Sequence, residues 1–397
     1  MKITNIELLL IDHPLPTNYG MPHPWRPIIV KINTDEGIYG LGEVGVAYCV
    51  GATAAFGMTK DLAKMMIGRD PLKSEQIWND MMKKTFWGQG GGTAVFGGMS
   101  GIDNALWDLK GKAMGQPVYQ LLGGKYRDRL RTYASQIQLG WNKDIREALS
   151  EPEEYADAAR KAVEEGYDAV KVDVLTWNKK REKMESYIGI LPKEVADMAE
   201  DRIAAIRNAV GDNVDILIEC HSYTDTVNAI QLARRYEKYN IMLLEEVNTS
   251  LNTALMKCVK DETYIPLAAG ERIYTRWGYL PFFKDRSLDV IQPDLGTCGG
   301  ITEGKKIVDM AHTFDITAQA HVCGSPIATA TALQFEAAIP NFCIHEHHRN
   351  ALMQPNIDLC IYDYQPHNGY YEIPDLPGIG QDLSEKAYAQ ATKVIVK

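Results

Sequence analysis

Apolar and polar positions alternate at the start of the chain. Ile3, Ile6, Leu8 and Leu10 mark one strand, and Pro27-Ile28-Ile29-Val30-Lys31-Ile32 marks a second. Asp35-Glu36-Gly37 then turns the chain into Ile38-Tyr39-Gly40-Leu41-Gly42-Glu43, which predicts an antiparallel meander. Between the first two strands lies HPLPTNYGMPHPWRP, a long loop rich in proline and aromatics. Long ordered loops are uncommon and often serve as functional lids. Residues 53–122 change to a helical period. Ser100 is expected to cap a helix that carries Ile102, Leu106, Leu109 and Ala113 on one face, with Gly115 and Pro117 ending it.

From about residue 130, short strands rich in Ile, Val and Leu alternate with amphipathic helices, the signature of parallel βα units. The expected strands are Leu130–Ile137, Ala169–Val174, Val214–Ile218, Ile241–Leu244, Ile265–Ala268, Asp289–Ile291, Ile316–Gln319 and Phe342–Ile344. Helices such as Pro152–Glu165 and Pro192–Val210 fit between them, and strands in this series close naturally into a (β/α)8-type barrel. Beyond Glu346 the pattern gives way to a loop-rich tail with weak strands, expected to pack back on the N-terminal region.

Composition narrows the class. At 397 residues the chain exceeds one ordinary single-core domain, so a barrel with a smaller companion domain is expected. A formal net charge of -10 argues against a nucleic-acid partner. Seven cysteines without a CxxC spacing point to reduced thiols in the cytoplasm, with neither a disulfide framework nor a zinc site. The start MKITNIELLLIDHPLP lacks the form of a signal peptide, and no apolar segment is long enough to span a bilayer. Gly88 to Gly92 match no nucleotide-binding loop.

Chemistry-bearing residues stand where the barrel strands end, the place where βα loops build active sites. The second strand ends Lys171-Val172-Asp173, the third Glu219-Cys220-His221, the fourth Glu245-Glu246 and the fifth Gly270-Glu271-Arg272. The sixth ends Gln292-Pro293-Asp294, the seventh at His321 and the eighth at His345-Glu346. Glu219, Glu245 and Glu271 are spaced by 26 residues each, and Asp294, His321 and Glu346 follow at intervals of 23, 27 and 25. One βα unit is about that long, so these side chains recur once per strand and converge on one mouth. Three neighbouring carboxylates cannot all ionise without a cation, and an all-oxygen donor set suits a hard ion such as Mg²⁺. Asp294 beside His321 has the form of a carboxylate that orients a general base.

Longer stretches carry a resemblance. SGIDNALWDLKGKAMGQPVYQLLGG (residues 100–124), LLEEV, IPLAAGERIYTRWG, DVIQPDLGTCGGITEGKKI and AQAHVCGSPIATATALQFEAAIPNFCIHEH resemble segments of the enolase superfamily, mandelate racemase subgroup. The closest resemblance is to its D-galactonate dehydratase-like acid-sugar dehydratases, and it covers nearly the whole chain. It implies an α/β fold, a modified TIM barrel (β/α)7β with an N-terminal α+β capping domain completed by the C-terminal tail. The expected division is 1–125 for the cap, 126–350 for the barrel and 351–397 for the returning segment.

The resemblance also implies roles. Glu219, Glu245 and Glu271 would bind Mg²⁺, His321 with Asp294 would form the base dyad, and Glu346 would hydrogen-bond the substrate carboxylate. The ion, Lys171 and Glu346 would stabilise the ene-diolate formed on loss of the α-proton, a pattern general to this superfamily. His221 would then protonate the departing β-hydroxyl, leaving a 2-keto-3-deoxy acid. The expected partner is a small-molecule sugar acid, with no nucleic acid or membrane, in a homo-oligomer (dimer or octamer). His13, Tyr19, His23, Trp25 and Arg26 of the long loop, with Tyr48 and Trp87, would read the far end of the substrate or else serve as packing. Three departures stand out. Glu219 replaces a common Asp; EEV replaces EEP; and Lys171-Val172-Asp173 lacks the second lysine of a racemase, which favours dehydration. Asp173 would hydrogen-bond a substrate hydroxyl or pair with Lys171. A cycloisomerase or epimerase on the same site, and a non-catalytic enolase-like binding protein, are the rival readings.

Overall fold

The computed structural model describes residues 1–20, 24–48, 50–184 and 186–397. The alternating N-terminal stretch forms three antiparallel strands, β1 (Ile3–Leu10), β2 (Ile28–Thr34) and β3 (Tyr39–Val44). One face of this sheet shares an apolar core with the helices Ala52–Lys64, Ser74–Lys84 and Thr93–Met114. The final strand, Thr392–Val396, pairs antiparallel with β1 and so completes the cap from the C-terminal tail. That pairing satisfies the backbone groups that an open sheet edge would leave unpaired.

Ser100 does not cap a helix. The helix starts at Thr93, and Ser100 lies inside it, its hydroxyl donating to the Phe96 carbonyl at 2.6 Å. Every residue from Val95 to Gly101 is buried, so this first half has no polar face to reveal a helical period. Gly115 does end the helix, in the left-handed conformation at φ 62°. The burial comes from close contact with β3. A Cβ on Gly40 would stand 2.1 Å from the Ala105 carbonyl oxygen. Gly40→Ala is therefore expected to destabilise the protein by about 1–3 kcal/mol through overpacking. A denaturant midpoint identical to that of the native protein would contradict this contact.

The barrel strands are β4 (Arg129–Ser135), β5 (Ala169–Val172), β6 (Asp215–Glu219), β7 (Ile241–Glu245), β8 (Leu267–Ala269), β9 (Val290–Ile291), β10 (Thr317–Ala318) and β11 (His345–His348). They run parallel in chain order, and β11 returns to pair with β4. A bridge between Ala318 and Phe342 joins the remaining edge, and a helix stands in each of the seven intervals, giving (β/α)7β. The eighth strand is displaced from the expected Phe342–Ile344. Its ladder with β4 runs over His345–His348, a buried polar stretch in which His347 Nδ1 is 2.6 Å from the Tyr371 hydroxyl.

One apolar layer fills the barrel: Tyr133, Ala169, Leu217, Leu243, Ala268, Val290 and Ile344. Side chains two residues further along a strand face the same way. That next layer holds Ser135, Lys171, Glu219, Glu245, Gln292 and Glu346. The fold thus places a charged layer directly on an apolar floor. Among the described residues, no helix is long and apolar enough to cross a membrane.

Candidate active site

Lys171 is the hub of the charged layer. Its Nζ lies 2.6 Å from Glu245 Oε1, 2.9 Å from Glu346 Oε1 and 3.6 Å from Glu219 Oε2, with all four side chains buried. Burial opposes the lysine's charge, but Glu245 and Glu346 overcome it and hold its pKa well above the ordinary value. Burial and then repulsion from Glu219 push the Glu245 carboxyl up. Glu346 is also buried, yet Lys171 and His321 hold it well below the usual carboxylate range. Ser135 Oγ donates to Glu346 Oε1 at 2.7 Å, and the Val322 amide donates to Oε2 at 3.0 Å, so this carboxylate is fixed in place.

Two imidazole–carboxylate pairs rise above that layer. His321 Nδ1 donates to Asp294 Oδ2 at 2.7 Å, and its Nε2 lies 3.1 Å from Glu271 Oε2. Burial disfavours the imidazolium, but Glu271 and Asp294 lift the His321 pKa to about 10. Glu271 is the largest of the raising influences, so a cation held by that carboxylate would weaken it and favour the neutral imidazole that a base requires. On the other side, His221 Nδ1 donates to Asp173 Oδ2 at 2.5 Å. Burial again works against the charge, while Glu219 and Asp173 raise His221 to about 10. His221 and Ser222 both adopt left-handed backbone conformations, φ 44° and 55°, which for non-glycine residues costs about 1–3 kcal/mol each. The His221 amide donates to Glu219 Oε1 at 2.7 Å, which anchors this turn.

Asp173 does not take the second of its two expected roles, pairing with Lys171. It is fully buried and does not bind Lys171; one oxygen holds His221 and the other accepts from the Leu175 amide at 2.8 Å. Two neighbours stand at strand ends marked in the sequence but have no role assigned there. Gln292 Nε2 donates to Glu245 Oε2 at 2.6 Å, and its place two residues beyond Val290 is the signal that could have assigned one. Glu246 turns away from the mouth in a left-handed conformation and accepts from Ser222 Oγ at 3.2 Å; burial raises its pKa to about 7.

The three expected metal ligands end adjacent strands, with Glu219 and Glu245 in direct register across β6 and β7. Among the described residues, no group of three acidic, imidazole or thiol side chains is already gathered in a metal-binding arrangement. Lys171 lies against Glu219 and Glu245, and Glu271 is drawn to His321 and to Arg272 Nε at 3.0 Å. The donor set nonetheless fits a hard dication. All its atoms are carboxylate oxygens, Glu219 Oε2 is buried without a hydrogen bond, and the Glu219–Glu245 repulsion is of the kind a cation relieves.

These groups open into a cavity of about 960 Å³, lined by Lys171, Glu219, His221, Glu271, Asp294 and His321 together with Tyr19, Tyr48, Arg146 and Trp177. Tyr19 packs against Trp177, with ring centroids 4.7 Å apart and the planes tilted by 52°. Two of the expected lid readers do not reach the cavity. Trp25 is wholly buried with Leu15, Ala47 and Met353, its Nε1 donating to Asn356 Oδ1 at 3.1 Å. Arg26 faces Thr53 Oγ1 at 3.5 Å and Asp12 at 3.8 Å. An aromatic or basic residue in an aperiodic loop carries no register, so its direction was not readable. His13 and Trp87 are likewise outside the lining, Trp87 being exposed against Phe86. His23 falls outside the described residues.

An acid- and imidazole-lined cavity at the C-terminal mouth of a capped barrel defines an enzyme built for proton transfer on a small molecule. The chain belongs to the mandelate racemase / muconate lactonizing enzyme family, matching that N-terminal domain over residues 5–123 and the enolase C-terminal domain-like family over residues 154–387. A solved member of the enolase superfamily from Salmonella Typhimurium is 54% identical with a TM-score of 0.95, each chain being covered in full (100%). D-xylonate dehydratase of Haloferax volcanii is 33% identical over 96% of this chain and 87% of its own. D-galactonate dehydratase of Pectobacterium atrosepticum is 31% identical over 99% of this chain and 95% of its own.

Proposed function

We propose that this enzyme is a Mg²⁺-dependent dehydratase of a sugar acid, an aldonate or an aldarate, which forms a 2-keto-3-deoxy acid. One observation carries the reading: two imidazoles, each oriented through Nδ1 by a carboxylate, face a single cavity from opposite walls. His221 follows β6 and His321 follows β10, four places apart in a ring of eight strands. Racemisation asks for a base on each face of the substrate, whereas dehydration asks for one base and one acid. The dehydratase names of relatives at 31% and 33% identity support the same choice.

The division of labour follows from the geometry. His321, its tautomer set by Asp294, takes the proton α to the substrate carboxylate through Nε2. Lys171 lies beside the place where negative charge then grows, and its buried ammonium needs no reorganisation to stabilise it. His221, oriented through Nδ1 by Asp173, delivers a proton to the β-hydroxyl, which leaves as water. The enol that remains becomes the keto acid. Glu219, Glu245 and Glu271 would hold Mg²⁺, which when bound supplies Lewis-acid stabilisation of the substrate's carboxylate oxygens.

Incubation with Mg²⁺ and a library of aldonic and aldaric acids is expected to yield, from at least one, a semicarbazide-reactive product lighter by one water. A product of unchanged mass would replace dehydration by cycloisomerisation or epimerisation. No turnover of any acid would favour a binding protein instead. Chelation by EDTA is expected to abolish turnover and lower the thermal midpoint, because a ligand bound only to the native state stabilises it. Activity that survives exhaustive chelation would remove the ion from this account.

A further inference from the structure

Four arginines are buried among the described residues: Arg146, Arg202, Arg207 and Arg349. Three are wrapped in backbone carbonyls. Arg202 donates to Ser150, Val174 and Trp177; Arg207 donates to Gly211, Val214, Tyr239 and Asn240; Arg349 donates to Gly140, Asn142 and Ile145. These guanidinium groups tie loops together. Arg146 is different. It is 4% exposed, yet its Nε and Nη1 make no hydrogen bond.

A guanidinium stays charged at any ordinary pH, and a buried charge without a partner is costly. Arg146 lines the same cavity as Lys171, His221 and His321. The titratable groups around it are the Tyr19 phenol and the Cys323 thiol, with His348 and Arg349 also near, and no carboxylate is among them. Burial holds His348 uncharged, and its Nε2 is engaged with Cys323 Sγ at 3.6 Å. The backbone of Arg146 is pinned to the lid loop: its amide donates to the Pro16 carbonyl at 3.0 Å, and its carbonyl accepts from the Asn18 amide at 2.9 Å. The cavity is therefore asymmetric. One wall carries carboxylates suited to an ion, and the wall beneath the lid carries a lone fork of cationic donors.

We infer that Arg146 receives a second, terminal carboxylate of the substrate, so that the acid this enzyme takes is an aldarate rather than an aldonate. The inference rests on the sugar-acid reading above and narrows it. A planar guanidinium matches a carboxylate through two parallel N–H···O bonds, and the unbonded Nε and Nη1 supply donors for such a pair. Its backbone bonds to the lid loop and its place in the cavity lining put this receptor on the lid side of the cavity.

The test is titration calorimetry on the full-length, Mg²⁺-loaded chain, in the native protein and in His321→Asn to arrest turnover. Galactarate is compared with galactonate, and glucarate with gluconate, because each pair differs only in the terminal group. The diacid of at least one pair is expected to bind about 10–100-fold more tightly, the span of hydrogen bonds to a charged group. Arg146→Gln is expected to erase that preference, and Arg146→Lys to restore only part of it. Equal affinity within both pairs overturns the inference, as does a preference that survives in Arg146→Gln. Tighter binding of 6-phosphogluconate than of either diacid also overturns it, in favour of a phosphate terminus. The comparison in the native protein needs no Arg146 variant, so a variant that fails to fold does not blunt the test. Turnover separates the two readings: a dehydratase without diacid preference sinks only the Arg146 inference, and a diacid binder whose product keeps its mass sinks only the dehydratase.

Discussion

His321→Asn is expected to lower kcat by about 10²–10⁴-fold or more, the usual loss on removing a general base, while Mg²⁺ and substrate still bind. Asparagine keeps a polar group of similar reach that can still donate to Asp294, so the wall of the cavity holds its shape. What it lacks is a titratable nitrogen where His321 Nε2 now faces Glu271 at 3.1 Å. Steady-state kinetics read the loss, and metal titration reads what is retained. Full activity in this variant would refute the dyad.

Lys171→Met is expected to cost both stability and activity. The ammonium is 1% exposed and lies 2.6 Å from Glu245 and 2.9 Å from Glu346. Methionine fills much of the volume but leaves those carboxylates facing one another in a buried site. Breaking a buried ion pair by removing one partner costs about 3–5 kcal/mol. The expected readouts are a lower denaturant midpoint and a collapse of kcat. Added Mg²⁺ should stabilise the variant more than the native protein, because a bound dication relieves repulsion that lysine otherwise balances. An unchanged midpoint would mean that the charged layer is far better solvated than its burial indicates.

Much of this site is legible in the sequence because a barrel converts spacing into position. Glu219, Glu245, Gln292 and Glu346 each stand two residues beyond an inward-facing apolar residue, so strand period and the length of a βα unit place them together. The partner of His221 was not legible in the same way. Asp173 lies on the neighbouring strand's end, and whether it turns toward Lys171 or His221 depends on the left-handed turn at His221–Ser222, which no periodicity encodes. Trp25 and Arg26 were misplaced because a loop without register leaves side-chain direction to tertiary packing. The eighth strand was displaced because His345–His348 is polar yet buried, a combination that hydrophobic pattern cannot mark as strand. Arg146 left no signal at all, since one arginine among ordinary loop residues becomes notable only when its donors prove unpaired.

The central claim is that proton removal belongs to His321 and departure of the hydroxyl to His221. Incubation of a turned-over sugar acid in D2O, followed by mass spectrometry of substrate and product, tests it in one measurement. His221→Asn is expected to wash deuterium into the α position of recovered substrate with little loss of water, and His321→Asn to do neither. Brisk dehydration by His221→Asn, or α-exchange by His321→Asn at the native rate, would contradict the assignment.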